Sequence, residues 1–440
     1  MSSLLITNAH LVTLDDDNRV IDGGSVYIED TKIVAAGDLD EVSYAPDRTI
    51  DAGGRLVMPG LIIAHHHLYS TFARGFTPPG PQARNFDENL RHLWWKLDSA
   101  LDADDVYYSS LLPLMDAALS GCTTVIDHHA SPASCGGSLD WVERAFTEVG
   151  LSGCLCYEVS DRNKPGEGIE ENERYIRKCC ESGSEQMAAL FGMHASMTLS
   201  DETLQRCAKI GNDLEAGFHV HVAEDRIDLD ITNERFGKRV LDRFHEFGIT
   251  GDKTIFVHGT HLEPDEMDLL RDTDSMLVTN PESNMNNGLP VPPVLDMLDR
   301  GILVGIGTDG MSSHIISQAR ALYMHLRTLH QDPTLAFVEA CKILLENNRR
   351  ICNRLFTEPR GALSAGQLAD VVIYDYVPFT PLRADTFYGH LLFGLSFTRV
   401  RTTIARGRVI VDGGSLPHLD EEAIRARCRE RAARIWARIV

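Results

Sequence analysis

The chain has 440 residues, 43% hydrophobic and 24% charged, with no low-complexity tract, which is the composition of a folded globular protein. Its 64 acidic against 42 basic side chains leave a formal charge of −22, so nucleic acid and anionic membranes are not expected partners. The 10 cysteines show no CxxC spacing, the N-terminus lacks a signal-peptide pattern, and no window nears the roughly 20 apolar residues of a spanning helix, so a reduced, cytoplasmic protein is expected.

Residues 1–57 alternate short apolar runs with Asp, Asn and Gly turns, the pattern of antiparallel strands, and a matching pattern returns over 361–415. The two ends are expected to pair into one small β-sandwich. Between them, over 58–360, apolar strands alternate with helical stretches, which predicts parallel βα units. The candidate strands are Leu56–Ala64, Cys122–Asp127, Leu151–Glu158, Ala189–His194, Gly217–Val222, Thr254–Val257, Ser275–Asn280 and Ile302–Gly307, a count that suggests a (β/α)8 TIM barrel. The tail 416–440 carries Ile424, Cys428, Ala432, Ile435, Trp436 and Ile439 near helical spacing, so an amphipathic helix with a solvated arginine face is expected there.

Chemistry concentrates at the strand ends. His65, His66 and His67 follow Pro59-Gly60 on the first barrel strand, and the period of two puts His65 and His67 on one face with His66 opposite. The fifth strand ends in His219-Val-His221-Val-Ala-Glu224, where His221 can supply a third nitrogen and Glu224 lies on the loop above. His219, one layer deeper, reads as a packed core histidine, and Glu224 by itself also reads as a surface carboxylate. His258 closes the sixth strand and Asp309 the eighth. Alone, each has a bland reading, a structural histidine or a helix cap; four such endings together point to one site. Three imidazoles and a carboxylate suit one divalent ion, Zn2+ first, with Fe2+ and Mn2+ as rivals, and leave room for a water that the ion would activate.

With Pro59-Gly-Leu-Ile-Ile-Ala-His-His-His, His221-Val-Ala-Glu224, Val257-His258-Gly, Pro281-Glu-Ser-Asn284 and Gly307-Thr-Asp309-Gly in place, the chain resembles the amidohydrolase superfamily, in the branch of cytosine, guanine and methylthioadenosine deaminases and triazine hydrolases. Leu93-Trp-Trp-Lys-Leu-Asp98, Ile126-Asp-His-His-Ala-Ser-Pro132 and Ser283-Asn-Met-Asn-Asn287 make it look most similar to the SsnA-type aminohydrolases. The resemblance implies that His65, His67, His221 and Asp309 bind one metal and that Asp309 and Glu224 move the proton of the activated water to a ring nitrogen. It further implies that His258 orients the reacting groups. The implied reaction is hydrolytic deamination of an amino-substituted heterocycle, a purine-, pterin- or pyrimidine-like cyclic amidine, with release of ammonia. Dechlorination of a triazine-like ring and metal binding without catalysis are the alternatives.

His194 stands where relatives touch substrate, and His129 lies just past the second strand end, although His128 could face inward instead. Trp94 and Trp95 either stack on a heterocycle or belong to the core. Thr279 stands where many relatives carry histidine, a departure that bears on pocket shape. The fourth strand, Ala189-Leu-Phe-Gly-Met-His194, has no lysine to bridge two ions, which favours a mononuclear centre. A homo-oligomer acting on a small heterocyclic molecule is expected.

Overall fold

The computed structural model describes residues 2–439. The two chain ends pair with each other, in one mixed sheet of eight strands where a sandwich was expected. Its order runs Arg408–Asp412, Val400–Ala405, Val371–Tyr374, Leu56–Pro59, Ser3–Val12, Val20–Glu29 and Lys32–Gly37, with Arg48–Asp51 also on Ser3–Val12. Ser3–Val12 serves two parallel partners on one side, Arg48–Asp51 through Leu4 to Thr7 and Leu56–Pro59 through His10 and Leu11. Between these stretches Asn8 takes a left-handed turn, φ 53°, which Asn tolerates better than most residues.

The expected first barrel strand, 56–64, divides at Gly60. Leu56–Pro59 runs antiparallel to Val371–Tyr374 in the terminal sheet, and only Leu61–His66 enters the parallel system. The expected fourth strand also divides, into Met187–Ala189 and Phe191–Ala195, because the Leu190 amide turns to the Leu155 carbonyl while the Phe191 amide turns to Gly217. This break leaves two parallel sheets. One holds Leu61–His66, Cys122–His129, Ser152–Tyr157 and Met187–Ala189; the other holds Phe191–Ala195, Phe218–Val222, Ile255–His258, Met276–Thr279 and Leu303–Ile306. Single bridges join their margins, Val159 to Met193 on one side and His66 to Asp309 on the other.

Alternate strand positions sort into two apolar groups. Ile62, Ala64, Ile126, Cys154, Cys156, Ile255, Val257, Met276, Val278 and Leu303 form one cluster, while Ile63, Val125, Leu155, Val220, Val222, Leu277 and Val304 pack with the helices. A register shift between Ile63 and His66 interrupts the alternation just before the functional segment, so Ala64 and His65 serve the same interior. Eight of the cysteines are buried and all ten are free thiols. No described helix is long and apolar enough to cross a membrane.

The C-terminal helix, Glu421–Ile439, departs from the expected solvated arginine face. Its buried side includes Arg431 beside Ile424, Cys428 and Ile435. The Arg431 Nε donates to Asp105 Oδ1 at 2.5 Å, Arg431 also pairs with Asp102, and Arg438 donates to Asp105 Oδ2 at 2.9 Å. Both acids open the helix Ala103–Leu119, whose N-terminus they cap. A buried guanidinium is tolerable only because it is paired on several sides. Replacing it takes from Asp105, which has no exposure, one of its two arginine partners and leaves Arg438. Arg431→Leu is therefore expected to cost about 1.5–3 kcal/mol of unfolding free energy, read from denaturant midpoints; an unchanged midpoint would contradict this account.

Candidate active site

The ends of the parallel strands bring His65, His67, His221, His258, Glu224 and Asp309 together. Ligand atoms of His65, His67 and Asp309 lie within 4.8 Å of one another, as do those of His65, His221 and His258, and those of Glu224, His258 and Asp309. Close strand packing makes this convergence feasible. At Gly307 an added Cβ would sit 2.5 Å from Asn280 Oδ1 and 2.6 Å from the His65 carbonyl oxygen, so only glycine lets the last strand approach the first. Ala223, His258 and Asp309 all hold positive φ, 47°, 74° and 52°, at the points where strands turn into the site. Backbone strain of this kind concentrates where a fold aims its functional side chains.

Hydrogen bonds settle which imidazole nitrogen is bare. His67 Nδ1 donates to the His128 carbonyl at 2.7 Å and His221 Nδ1 donates to the His194 carbonyl at 2.8 Å. A carbonyl can only accept, so each ring carries a proton on Nδ1, and in its neutral form it turns a lone pair outward at Nε2. Those two Nε2 atoms stand 3.1 Å apart. His65 Nδ1 meets His219 Nε2 at 2.9 Å, whereas its buried Nε2 has no partner. Burial and the neighbouring imidazoles push the pKa values of His65 and His221 well below the ordinary value, which keeps both rings neutral. Three imidazole nitrogens converging, with Asp309 Oδ1 3.5 Å from His67 Nε2, make the donor set of a divalent-ion site.

The acids beside this cluster differ. Burial raises the Asp309 carboxyl, but His67, His258, the 2.6 Å bond from Ser283 Oγ and the 2.7 Å bond from the Gly310 amide together hold it below its usual range. Burial and the charge of Asp309 push Glu224 well above its ordinary value, which favours its protonated form. His258 Nε2 lies 3.5 Å from Glu224 Oε2 and 3.8 Å from Asp309 Oδ2, and its Nδ1 is 2.9 Å from Asn284 Oδ1. Opposite ionisation preferences in adjacent carboxyls are what an acid and base pair requires.

Sequence-expected residues are placed as follows. His194 and Trp94 line the cavity next to these groups. His129 does not: the second strand runs through to it, so alternation turns His128 toward His67 and His221 and leaves His129 bonding Ser131 at 2.8 Å. His66 faces Ser313, and Thr279 is buried beneath the site. Trp95, which the sequence left between stacking and core, also lines the cavity, and sequence reasoning passed over Tyr69 and Glu158, which line it too. Glu158 had a usable signal, being the final residue of an expected strand.

Glu158 is nearly buried and its pKa is pushed up to about 8 by desolvation, against which Arg162 pulls. Its folded pKa thus exceeds the ordinary value of 4.5. The corresponding stability is complete below that value and is lost as pH rises through about 8. Glu158→Gln has no such group, so its melting temperature relative to the native protein is expected to rise from about pH 5 to about pH 8. Parallel melting curves across that window would refute the linkage.

A parallel-stranded α/β scaffold with a histidine and carboxylate cluster at its strand ends defines a class of metal-dependent hydrolases. The chain belongs to the amidohydrolase family, whose profile matches residues 56–410. It is 29% identical over 449 aligned residues to a 5'-deoxyadenosine deaminase of Methanosarcina mazei, covering 100% of both chains. It is 28% identical to a 5-methylthioadenosine/S-adenosylhomocysteine deaminase of Desulforudis audaxviator, covering 98% of each. Among solved structures, a zinc-bound adenosine deaminase from Xanthomonas campestris superimposes with a TM-score of 0.87 at 20% identity, covering 99% of each chain. The zinc complex of atrazine chlorohydrolase from Arthrobacter aurescens gives 0.82 at 21% identity, covering 98% of this chain and 100% of that one.

Proposed function

We propose that the protein is a metal-dependent aminohydrolase that removes the amino group of an adenine-like heterocycle as ammonia. The observation that carries this reading is the pair of bare Nε2 atoms of His67 and His221, 3.1 Å apart and bordered by Asp309, Glu224 and His258. The deaminase names of the full-length relatives support the reaction class. The zinc of the structural neighbours supports the choice of ion. In the same reading the two parallel sheets are one (β/α)8 barrel closed at the 159/193 and 66/309 bridges, with 58–360 as its span. Residues 1–57 and 361–415 are then the accompanying β-sandwich, and 416–440 the C-terminal helix.

His65, His67, His221 and Asp309 would hold the ion. When bound, it supplies Lewis acidity and lowers the pKa of a coordinated water toward about 7. Asp309, held ionised, accepts the proton of the attacking water through the oxygen near His258. Glu224 delivers its proton to the ring nitrogen adjacent to the amino-bearing carbon, which makes that carbon electrophilic; the proton taken up by Asp309 then goes to the departing amine, while the hydroxyl proton of the collapsing adduct returns to Glu224. His258, anchored by Asn284, sits within reach of both carboxylates and steadies the charge that develops between them. Trp94, Trp95 and Phe86 form an apolar wall that excludes water from the heterocycle.

Glu224→Gln and Asp309→Asn are each expected to lower ammonia release by about 10^2–10^4-fold, with metal content staying near one ion per chain in the native protein and in Glu224→Gln. Release unaffected by both changes, or two ions per chain, would overturn the mechanism; chloride instead of ammonia would identify a dehalogenase.

The metal site also depends on its supporting layer. Cys156 Sγ contacts the Asp127 carbonyl and His219 Nδ1, each at 3.6 Å, and His219 Nε2 contacts His65 Nδ1. If the thiol donates to the carbonyl, His219 donates to sulfur and accepts from His65, which leaves the His65 Nε2 lone pair free for the ion. His219→Phe is expected to weaken zinc binding by about 10- to 100-fold in chelator competition at unchanged melting temperature of the apoprotein. Native affinity in that variant would remove His219 from this role.

A further inference from the structure

Glu158 sits at the end of the strand Ser152–Tyr157, inside the cavity, and its carboxyl oxygen lies within 4.8 Å of ring nitrogens of His194 and His221. The groups around it leave it unsatisfied. Arg162 comes no closer than 3.7 Å and is committed to Asp98, with bonds of 2.6 and 3.4 Å, while its guanidinium faces the Trp95 ring at 4.8 Å. His128 Nδ1 is 3.6 Å away, but that ring spends its proton at Nε2 on the Met193 and His219 carbonyls, so Nδ1 offers a lone pair. Among the described residues no side chain donates a hydrogen bond to the Glu158 carboxyl.

His194 is likewise an acceptor on its cavity side. The Thr198 hydroxyl donates to the Ala195 carbonyl, so the 2.7 Å contact between His194 Nδ1 and Thr198 Oγ1 is a bond donated by the ring, which leaves Nε2 bare. The wall formed by Glu158 and His194 thus presents acceptors side by side, and no lysine or arginine lines the cavity among the described residues. A buried acceptor without a donor costs free energy that a ligand recovers by supplying one.

We propose that Glu158, with His194 beside it, is the specificity subsite of the pocket and takes neighbouring hydrogen-bond donors on the part of the substrate remote from the scissile amino group. This rests on the deaminase reading above. Two sources offer such donors, a second exocyclic amino group on the base or the hydroxyls of a ribose.

The test is equilibrium binding by calorimetry to zinc-loaded protein carrying Glu224→Gln, which blocks turnover. The probes are two pairs, 2,6-diaminopurine against adenine and adenosine against 2'-deoxyadenosine, each pair differing by one donor. In at least one pair the donor-bearing member is expected to bind about 10- to 100-fold tighter, and the difference is expected to fall below about threefold when Glu158→Leu is added, with Glu158→Gln in between. The pair that responds identifies the source of the donors. No discrimination in either pair, no binding by any probe, or discrimination that survives Glu158→Leu overturns the proposal. Ammonia release by the native protein on the tightest binder is measured separately, so binding without release sinks the deaminase reading and leaves the subsite standing.

Discussion

Two imidazole Nε2 atoms facing each other across 3.1 Å are the constraint on which the rest of the site depends. A cation or a proton between the Nε2 atoms of His67 and His221 relieves the contact, and neither ring can turn away from it without giving up its carbonyl partner. The backbone that supplies those carbonyls is that of neighbouring strand ends, at His128 and His194. Strand pairing, tautomer and ligand direction are therefore one arrangement. The glycine at 307 and the left-handed residues at 223, 258 and 309 are local concessions that allow it.

Burial keeps the imidazoles in the form a metal needs. His194 and His219 are driven down to about 3 by desolvation, and His128 is driven well below its ordinary value by desolvation and the neighbouring His219 and His67. Such a layer would be unstable if charged, and it stays neutral because the surroundings are apolar: Ile126, Cys154, Cys156, Ile255 and Val257 pack in the layer beneath. The same desolvation separates the acids. Asp309 has donors from Ser283 and Gly310 and stays ionised; Glu224 has none of comparable strength and holds its proton more tightly. One physical effect thus yields buried imidazoles of lowered basicity and two adjacent carboxyls with opposite ionisation preferences.

Much of this was legible in the chain. The strands ending in His65, His221, His258 and Asp309 were readable because each is an apolar run closed by one polar side chain, a pattern set by period-two burial. What escaped depended on register. The bulge before His66, the break at Leu190 and the transfer of Leu56–Pro59 to the terminal sheet all turn on which carbonyl a single amide selects, and side-chain patterning does not encode that choice. His128 and His129 differ by one position, so the inward one was decided by where the strand stopped. Arg431 was read as solvated because its burial depends on Asp102 and Asp105, more than 300 residues away.

The geometry divides the pocket into two ends with different demands. At one end, the histidines, Asp309, Glu224 and His258 form a set whose members constrain one another, so a change in any one disturbs the others. At the other end, Glu158 and His194 make few bonds to their neighbours across the cavity, and Trp95 is held from outside by the Arg162 and Asp98 pair. A wall of that kind can change its hydrogen-bonding character without disturbing the reacting end. In this chain the wall carries the Glu158 carboxyl, held under desolvation, beside the His194 imidazole.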